Sequence, residues 1–162
     1  MNPRNLSAVV FAAAVALVLA APSPNAQNAP ARITLADAQK IIDAGHKAAA
    51  DQNLRVTVAV VDARGDLIAL GRMPGAGAGT TDTAVGKAMM SAIYGQPSAA
   101  LTGRATNPAT QAFNDATGGR LRFLQGAVPI IRNGFIIGAV GASGATAMQD
   151  EGVSSAALAV LP

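Results

Sequence analysis

The stretch VPIIRNGFIIGAVGASG, Val128 to Gly144, decides the fold. Two apolar runs rich in β-branched residues flank Asn133-Gly134, and Asn-Gly between such runs is the strongest short-range signal for a β-hairpin. Because strands joined by a tight turn pair antiparallel, this stretch predicts an antiparallel sheet. The segment that follows it, up to the C-terminus, is predicted to be a helix with small residues on its buried side.

Three further runs are predicted to be strands of the same sheet. RVTVAVVD (Arg55 to Asp62) is β-branched, and LIALGRM (Leu67 to Met73) resumes after ARGD, so the pair is predicted to be a second hairpin. RLRFL (Arg120 to Leu124) precedes the first hairpin and is also predicted to be a strand. The sequence therefore predicts an antiparallel sheet of about five strands.

Helices are predicted on either side of these strands. Thr34 begins an amphipathic stretch, and Asp37 three residues later resembles a capping box with Asp in place of the usual Glu. Thr80 or Thr81 is predicted to cap a second helix. The least regular stretch, residues 98–119, is predicted to form short helical turns separated at Asn107-Pro108.

The fold class is therefore predicted to be α+β (an α/β sandwich), with helices covering one antiparallel sheet in a single domain after a signal peptide. Residues 1–31 contain the apolar run Leu6 to Ala21, followed by a polar, Pro-rich segment, which indicates a secretory signal peptide and a short polar linker. An uncleaved membrane anchor is the alternative, although sixteen apolar residues fall slightly short of a spanning helix. We expect a periplasmic or secreted domain over residues 32–162.

Composition excludes several classes of function. A net charge of +3 with scattered basic residues and 3% aromatics is not typical of nucleic-acid binding, so no nucleic-acid partner is expected. The lack of Cys and the single His exclude thiol chemistry and metal sites built from His and Cys. The residues around Gly86-Lys87 miss the phosphate-loop pattern at two positions. No catalytic constellation is visible, so whether the protein is an enzyme stays open.

Three stretches, taken in order, carry a resemblance to a known family. They are VTVAVVDARGDLIALGRMPGA, AVGKAMMSAIYGQPSAAL and GAVPIIRNGFIIGAVGASGATAMQDE. Together they resemble the GlcG/HbpS haem-binding-like family, from about Thr34 to Pro162. The resemblance implies a homo-oligomeric α/β domain with an antiparallel sheet. Several relatives bind haem, and a secreted one is linked to haem breakdown, iron release and a partner sensor kinase. The chain departs from the family at Pro74, where an acidic residue is usual.

Four side chains are candidate ligand-binding groups. His46, the sole imidazole, lies on the flank of the first helix and is the candidate axial ligand for haem iron; the alternative is a surface or half-buried His. Tyr94 could ligate ferric haem as a phenolate, or it could simply pack. Arg72 and Lys87 flank a glycine-rich loop and are candidates for neutralising haem propionates or another carboxylate.

A further candidate is the N-terminus of the last helix. Ser143 and Gly144 precede it, and backbone N–H groups at such an end attract an anion. The adjacent acids Asp150 and Glu151 could favour the positive helix end or repel that anion.

The expected function is that of an exported homo-oligomer that binds haem or a related tetrapyrrole for storage, sensing or slow breakdown, with a sensor protein as a further partner. The alternative is an enzyme or accessory binder for a small carboxylate such as a hydroxy acid, held by Arg72, Lys87 and the helix N-terminus. A third reading is a structural protein that only self-associates.

Overall fold

The computed structural model describes residues 32–161, which form four α-helices, four strands and two 3-10 segments. The predicted signal peptide and linker, residues 1–31, lie outside the described residues. In chain order the elements are α1 (Leu35–Ala50), β1 (Thr57–Asp62), β2 (Leu67–Arg72), α2 (Thr80–Tyr94), a 3-10 segment (Ser98–Thr106), α3 (Pro108–Ala116), β3 (Ala127–Arg132), β4 (Phe135–Ser143), α4 (Ala147–Ala157) and a 3-10 segment (Leu158–Val160). The predicted α+β class is confirmed.

The strands form one antiparallel sheet in the order β2-β1-β4-β3. The predicted hairpin at Asn133-Gly134 is confirmed, and both residues have positive φ (53° and 79°), as this kind of turn requires. The predicted β1–β2 hairpin is also confirmed, with Asp62 Oδ1 accepting backbone N–H bonds from Arg64 and Asp66. β1 and β4 therefore occupy the centre of the sheet.

The predicted strand at Arg120 to Leu124 is wrong, and the sheet over residues 32–161 has four strands instead of five. The backbone N–H of Leu121 donates to Asn114 Oδ1 (2.8 Å), and that of Arg122 donates to the Gly86 carbonyl on α2 (3.2 Å). The alternation of polar and apolar residues over Arg120 to Leu124 is typical of a strand, but the backbone N–H groups of Leu121 and Arg122 bond to helices and not to a neighbouring strand.

Helices cover both faces of the sheet. α1 and α4 pack on one face, around fully buried residues such as Ile41, Val58 and Val140. α2 packs on the other face, where Met90 and the 3-10 residue Leu101 are buried with Val61. Burying each large aliphatic side chain stabilises the fold by about 1.5–3 kcal/mol, so the two apolar layers fix both sets of helices on the sheet.

Of the three helix starts predicted from local sequence signals, two are confirmed. The predicted capping box of α1 is confirmed, since Thr34 Oγ1 accepts from the Asp37 N–H at 3.1 Å and Asp37 Oδ2 accepts from the Thr34 N–H at 3.2 Å. The predicted break at Asn107-Pro108 is confirmed, with Asn107 capping α3. The predicted Thr cap of α2 is wrong. Gly79 is the N-cap, and the Thr80 hydroxyl is buried against Thr57 at 2.8 Å.

Among the helices of residues 32–161, none combines the length and apolar character needed to cross a bilayer.

Candidate functional site

The corner between β4 and α4 holds two of the predicted binding residues. Ser143 ends β4 opposite Thr57 on β1. Gly144 follows with φ +145°, and a Cβ there would lie closer than 3.0 Å to the Arg55 carbonyl oxygen. The corner thus depends on glycine, because both the backbone conformation and the available space exclude a side chain.

The N-terminus of α4 does not present the expected row of unpaired N–H groups. The Ala145 N–H donates to Asp150 Oδ1 at 2.9 Å, and the Thr146 N–H donates to Gln149 Oε1 at 3.2 Å. Thr146 and Gln149 also complete a capping box. An anion does occupy this helix end, but it is the carboxylate of Asp150 from the same helix.

Lys87 forms a buried ion pair with Asp150. Its Nζ lies 2.8 Å from Asp150 Oδ2 and donates to the Ala142 carbonyl at 3.1 Å, while the two side chains are only 4% and 3% exposed. A Cβ at Gly126 would lie 2.6 Å from Nζ, so the ammonium passes a position that only glycine leaves open. Burial raises the pKa of the Asp150 carboxyl, and the Lys87 ammonium opposes that shift. The positive charge of Lys87 is therefore paired with Asp150 inside the protein.

His46 is half-buried against the edge strand β2. Its Nε2 lies 3.0 Å from the Gly71 carbonyl oxygen, which can only accept, so this nitrogen carries the hydrogen. A Cβ at Gly71 would lie 2.7 Å from His46 Cε1, which shows how closely the ring packs on the strand. Iron ligation through Nε2 would require this hydrogen bond to break.

Arg72 and Tyr94 also have contacts within the chain. Arg72 is exposed, and its Nη2 donates to the Ala76 carbonyl. This hydrogen bond links β2 to the glycine-rich loop of residues 74–79. Tyr94 is half-buried at the end of α2, with the Arg104 guanidinium 4.6 Å from its ring centroid. Neither side chain contacts His46 in the hydrogen-bond or cation–π network of residues 32–161.

A cavity of about 380 Å³ lies on the other face of β2. Its lining consists of Leu67, Leu70, Thr81, Asp82, Val85, Gly118, Gly119, Arg120 and Arg122. Small-molecule sites typically enclose about 300–1,000 Å³ between apolar walls with a few polar groups, and this cavity matches that description. We call it the β2–α2 pocket.

The cationic side of the β2–α2 pocket is built from two arginines. Arg122 Nη1 donates to the backbone oxygens of Gly119 (2.7 Å) and Leu121 (3.2 Å), so the guanidinium is held by neutral groups. Within the described part of the chain, neither Arg120 nor Arg122 forms an ion pair. Their charge is therefore available to an anionic ligand.

The β2–α2 pocket and His46 lie on opposite faces of the same strand. Gly71 faces α1 and His46, and since side chains alternate along a strand, Leu70 faces α2 and the pocket. The pocket lining contains none of the six predicted site residues, which are His46, Arg72, Lys87, Tyr94, Ser143 and Gly144. The structure thus brings together Lys87 and the Ser143–Gly144 corner, and it separates both from His46.

Sequence reasoning assigned no role in binding to any residue of the pocket lining, including its two basic residues, Arg120 and Arg122. A signal was present, because the Arg-Leu-Arg alternation places both arginines on one side of an extended segment and Leu121 on the other. Leu121 is indeed buried, at 2% exposure. In residues 32–161 no cluster of three or more His, Cys, Asp or Glu is placed to hold a metal ion.

Comparison with known proteins identifies the family. A family model described as "Haem degrading protein HbpS-like" matches residues 33–159. The chain belongs to the HbpS-like family. This HbpS-like chain is also 33% identical, over 130 residues, to an uncharacterized 15.0 kDa protein of Citrobacter freundii encoded in the dhaT-dhaS intergenic region. The match covers 79% of this chain and 91% of that protein. The family match confirms the resemblance inferred from the sequence.

Solved structures of similar proteins share the fold. A double mutant of HbpS from Streptomyces reticuli is 29% identical with a TM-score of 0.71, covering 96% of this chain and 99% of that one. The ORFY protein of Klebsiella pneumoniae is 29% identical with a TM-score of 0.73, covering 83% and 96%. A PduOC:haem complex is 24% identical with a TM-score of 0.71, covering 80% and 94%, and at that identity it shows the fold alone.

Proposed function

We propose that this HbpS-like protein binds haem or a related tetrapyrrole in the β2–α2 pocket. The observation that carries the proposal is that one pocket combines an apolar wall with two guanidinium groups that have no carboxylate partner in residues 32–161. A tetrapyrrole with propionates has this same division between an apolar ring and anionic ends. The description of the family as haem-degrading supports the same ligand class.

The lining residues fit the ring and the propionates better than they fit the iron. Leu67, Leu70 and Val85 would contact the ring, while Arg120 and Arg122 would neutralise the propionates, in the bidentate manner open to a guanidinium. The lining has no His, Cys, Met or Tyr, so within the pocket only oxygen donors are available to the iron. When bound, haem would supply the iron and oxygen chemistry of any slow breakdown.

The cellular setting is also a proposal. The apolar run in residues 1–31 supports export to the periplasm or outside the cell, and the family resemblance supports a homo-oligomer with a sensor protein as partner. A second subunit could supply the axial ligand that the pocket lacks. His46 of the same chain lies on the opposite face of β2, so it would ligate the iron only if haem bound on the α1 face.

A haem titration followed by absorbance tests the proposal, with Arg122→Gln as the pocket variant. The control is Arg64→Gln, because Arg64 is an exposed arginine on the β1–β2 turn and is not in the pocket lining. A hydrogen bond to a charged group contributes about 1.5–3 kcal/mol, so Arg122→Gln should weaken haem binding by roughly 10–100-fold. Arg64→Gln should leave the affinity unchanged.

The same titration separates the two faces of β2. If His46→Ala shifts or removes the Soret band while Arg122→Gln has no effect, the ligand binds on the α1 face and the pocket assignment is wrong. If the wild-type protein gives no saturable Soret band, the haem proposal itself is wrong.

The size of the pocket favours a second candidate, a small carboxylate such as a hydroxy acid. A volume of about 380 Å³ is near the lower end of the range for ligand sites, and Thr81 and Asp82 could hydrogen-bond a hydroxyl group while Arg122 holds the carboxylate. Calorimetric titration with glycolate tests this candidate. This candidate predicts saturable binding of glycolate that Arg122→Gln removes. If the wild-type protein gives no heat of binding with glycolate, glycolate is not the ligand.

A further inference from the structure

We infer that Gly86 is a positioning residue that determines where the two arginines of the β2–α2 pocket stand. The consequence for ligand binding rests on the proposed function, whereas the placement of the arginine segment rests on contacts within the chain. Gly86 is buried in the middle of α2, one helical turn beyond Asp82 of the pocket lining. Residues four apart share a helix face, so Gly86 adjoins the pocket.

The segment Arg120 to Arg122 crosses α2 at Gly86. A Cβ at position 86 would lie closer than 3.0 Å to the Arg120 carbonyl oxygen and 2.5 Å from Arg122 Cγ. It would also lie 3.1 Å from the Arg122 backbone nitrogen. Two of these three atoms belong to the backbone and cannot rotate away as the end of a flexible side chain can. Any side chain at position 86 must therefore push the whole segment outward.

Two hydrogen bonds hold the segment in this place. The Arg122 N–H donates to the Gly86 carbonyl at 3.2 Å, and the Leu121 N–H donates to Asn114 Oδ1 at 2.8 Å. The side chain of Leu121 is buried in the core, and the side chains of its two neighbours, Arg120 and Arg122, therefore point toward the pocket. Glycine is a poor residue for a helix interior, and here its lack of a side chain allows the close approach.

Amide hydrogen exchange of the purified protein tests the placement without any ligand. The variant is Gly86→Ala, and the matched control is Gly152→Ala, which makes the same substitution in α4 at an exposed position where a Cβ would have no neighbour within 4 Å. Exchange at Leu121 and Arg122 should rise at least about tenfold in Gly86→Ala and stay unchanged in Gly152→Ala. Unchanged protection in Gly86→Ala would overturn the inference.

Haem titration then tests whether Gly86 acts through the arginines. Gly86→Ala should weaken haem binding about tenfold in the wild-type background and have no further effect in the Arg120→Gln/Arg122→Gln background, because coupled residues are not additive. Equal weakening in both backgrounds would mean that Gly86 affects binding by another route, and the inference would be wrong. A haem-binding defect of the same size in Gly152→Ala would also overturn it.

Failure of the proposed function can be told apart from failure of this inference. If the wild-type protein binds no haem, the proposed function is wrong, and the exchange experiment alone decides the role of Gly86. If Gly86→Ala does not fold, exchange of the wild-type protein decides it. An Arg122 amide protected as strongly as the core amides of α2 supports the docking, and one that exchanges as fast as an unprotected loop amide refutes it.

Discussion

Replacing Lys87 with Met should strongly destabilise the protein. The two charges lie 2.8 Å apart, and their side chains are 4% and 3% exposed, so the substitution leaves the Asp150 carboxylate buried beside a neutral side chain. Removing one partner of such a pair costs about 3–5 kcal/mol. With an m value of about 2 kcal/mol/M, the urea midpoint measured by circular dichroism should fall by roughly 2 M.

The exposed pair Lys47–Asp51 provides the control. Its Nζ–Oδ2 distance is 2.7 Å, almost the same as in the buried pair, but its side chains are 76% and 61% exposed. Because exposed pairs contribute about 0.2–1 kcal/mol, Lys47→Met should change the free energy of unfolding by less than about 1 kcal/mol. If Lys87→Met costs no more than Lys47→Met, the pair between α2 and α4 is solvated and the reasoning from burial is wrong.

The loss in Lys87→Met should also depend on pH. Burial already raises the pKa of Asp150 above its ordinary 3.8, and removing the opposing ammonium raises it further. The folded state then binds a proton more tightly than the unfolded state, so stability falls as pH rises from about 4 to the folded pKa, by up to about 1.4 kcal/mol per pH unit. Lys87→Met should therefore lose more stability at pH 8 than at pH 5, and an equal loss would contradict this account.

Two smaller perturbations test local features. Hydrogen bonds from Thr34 hold the pKa of Asp37 below its ordinary 3.8, so the folded state binds fewer protons and the contribution of Asp37 is lost as pH falls below about 4. The difference in unfolding free energy between wild type and Asp37→Asn, measured by urea titration, should shrink from pH 7 to pH 3; a constant difference would refute this. Gly144→Ala should cost about 1–3 kcal/mol or more, because the left-handed backbone is strained for Ala and its Cβ would meet the Arg55 carbonyl. The same assay on Gly103→Ala, at a position with no neighbour within 4 Å, should show little change, and equal losses would contradict the steric explanation.

The candidate site was less accessible to sequence reasoning than the fold. Lys87 was expected to offer its charge to a ligand, yet its partner Asp150 lies 63 residues away and meets it only when α2 and α4 pack on the sheet. His46 was correctly placed on the flank of α1, but the Gly71 carbonyl that holds it belongs to β2. The β2–α2 pocket draws its lining from β2, α2 and the segment after α3, so no single stretch of sequence marks it.

What the sequence determined by itself is local. Asn133-Gly134 determines a hairpin because both residues tolerate positive φ, and Thr34 with Asp37 determines a helix start because their side chains bond the backbone beside them. Tertiary structure alone decided that Arg120 to Leu124 would not be a strand. The backbone N–H groups of this segment could have bonded to the edge of the sheet, but they donate to the Gly86 carbonyl on α2 and to Asn114 Oδ1 on α3. The segment can approach α2 this closely because position 86, which is distant from it in sequence, is a glycine.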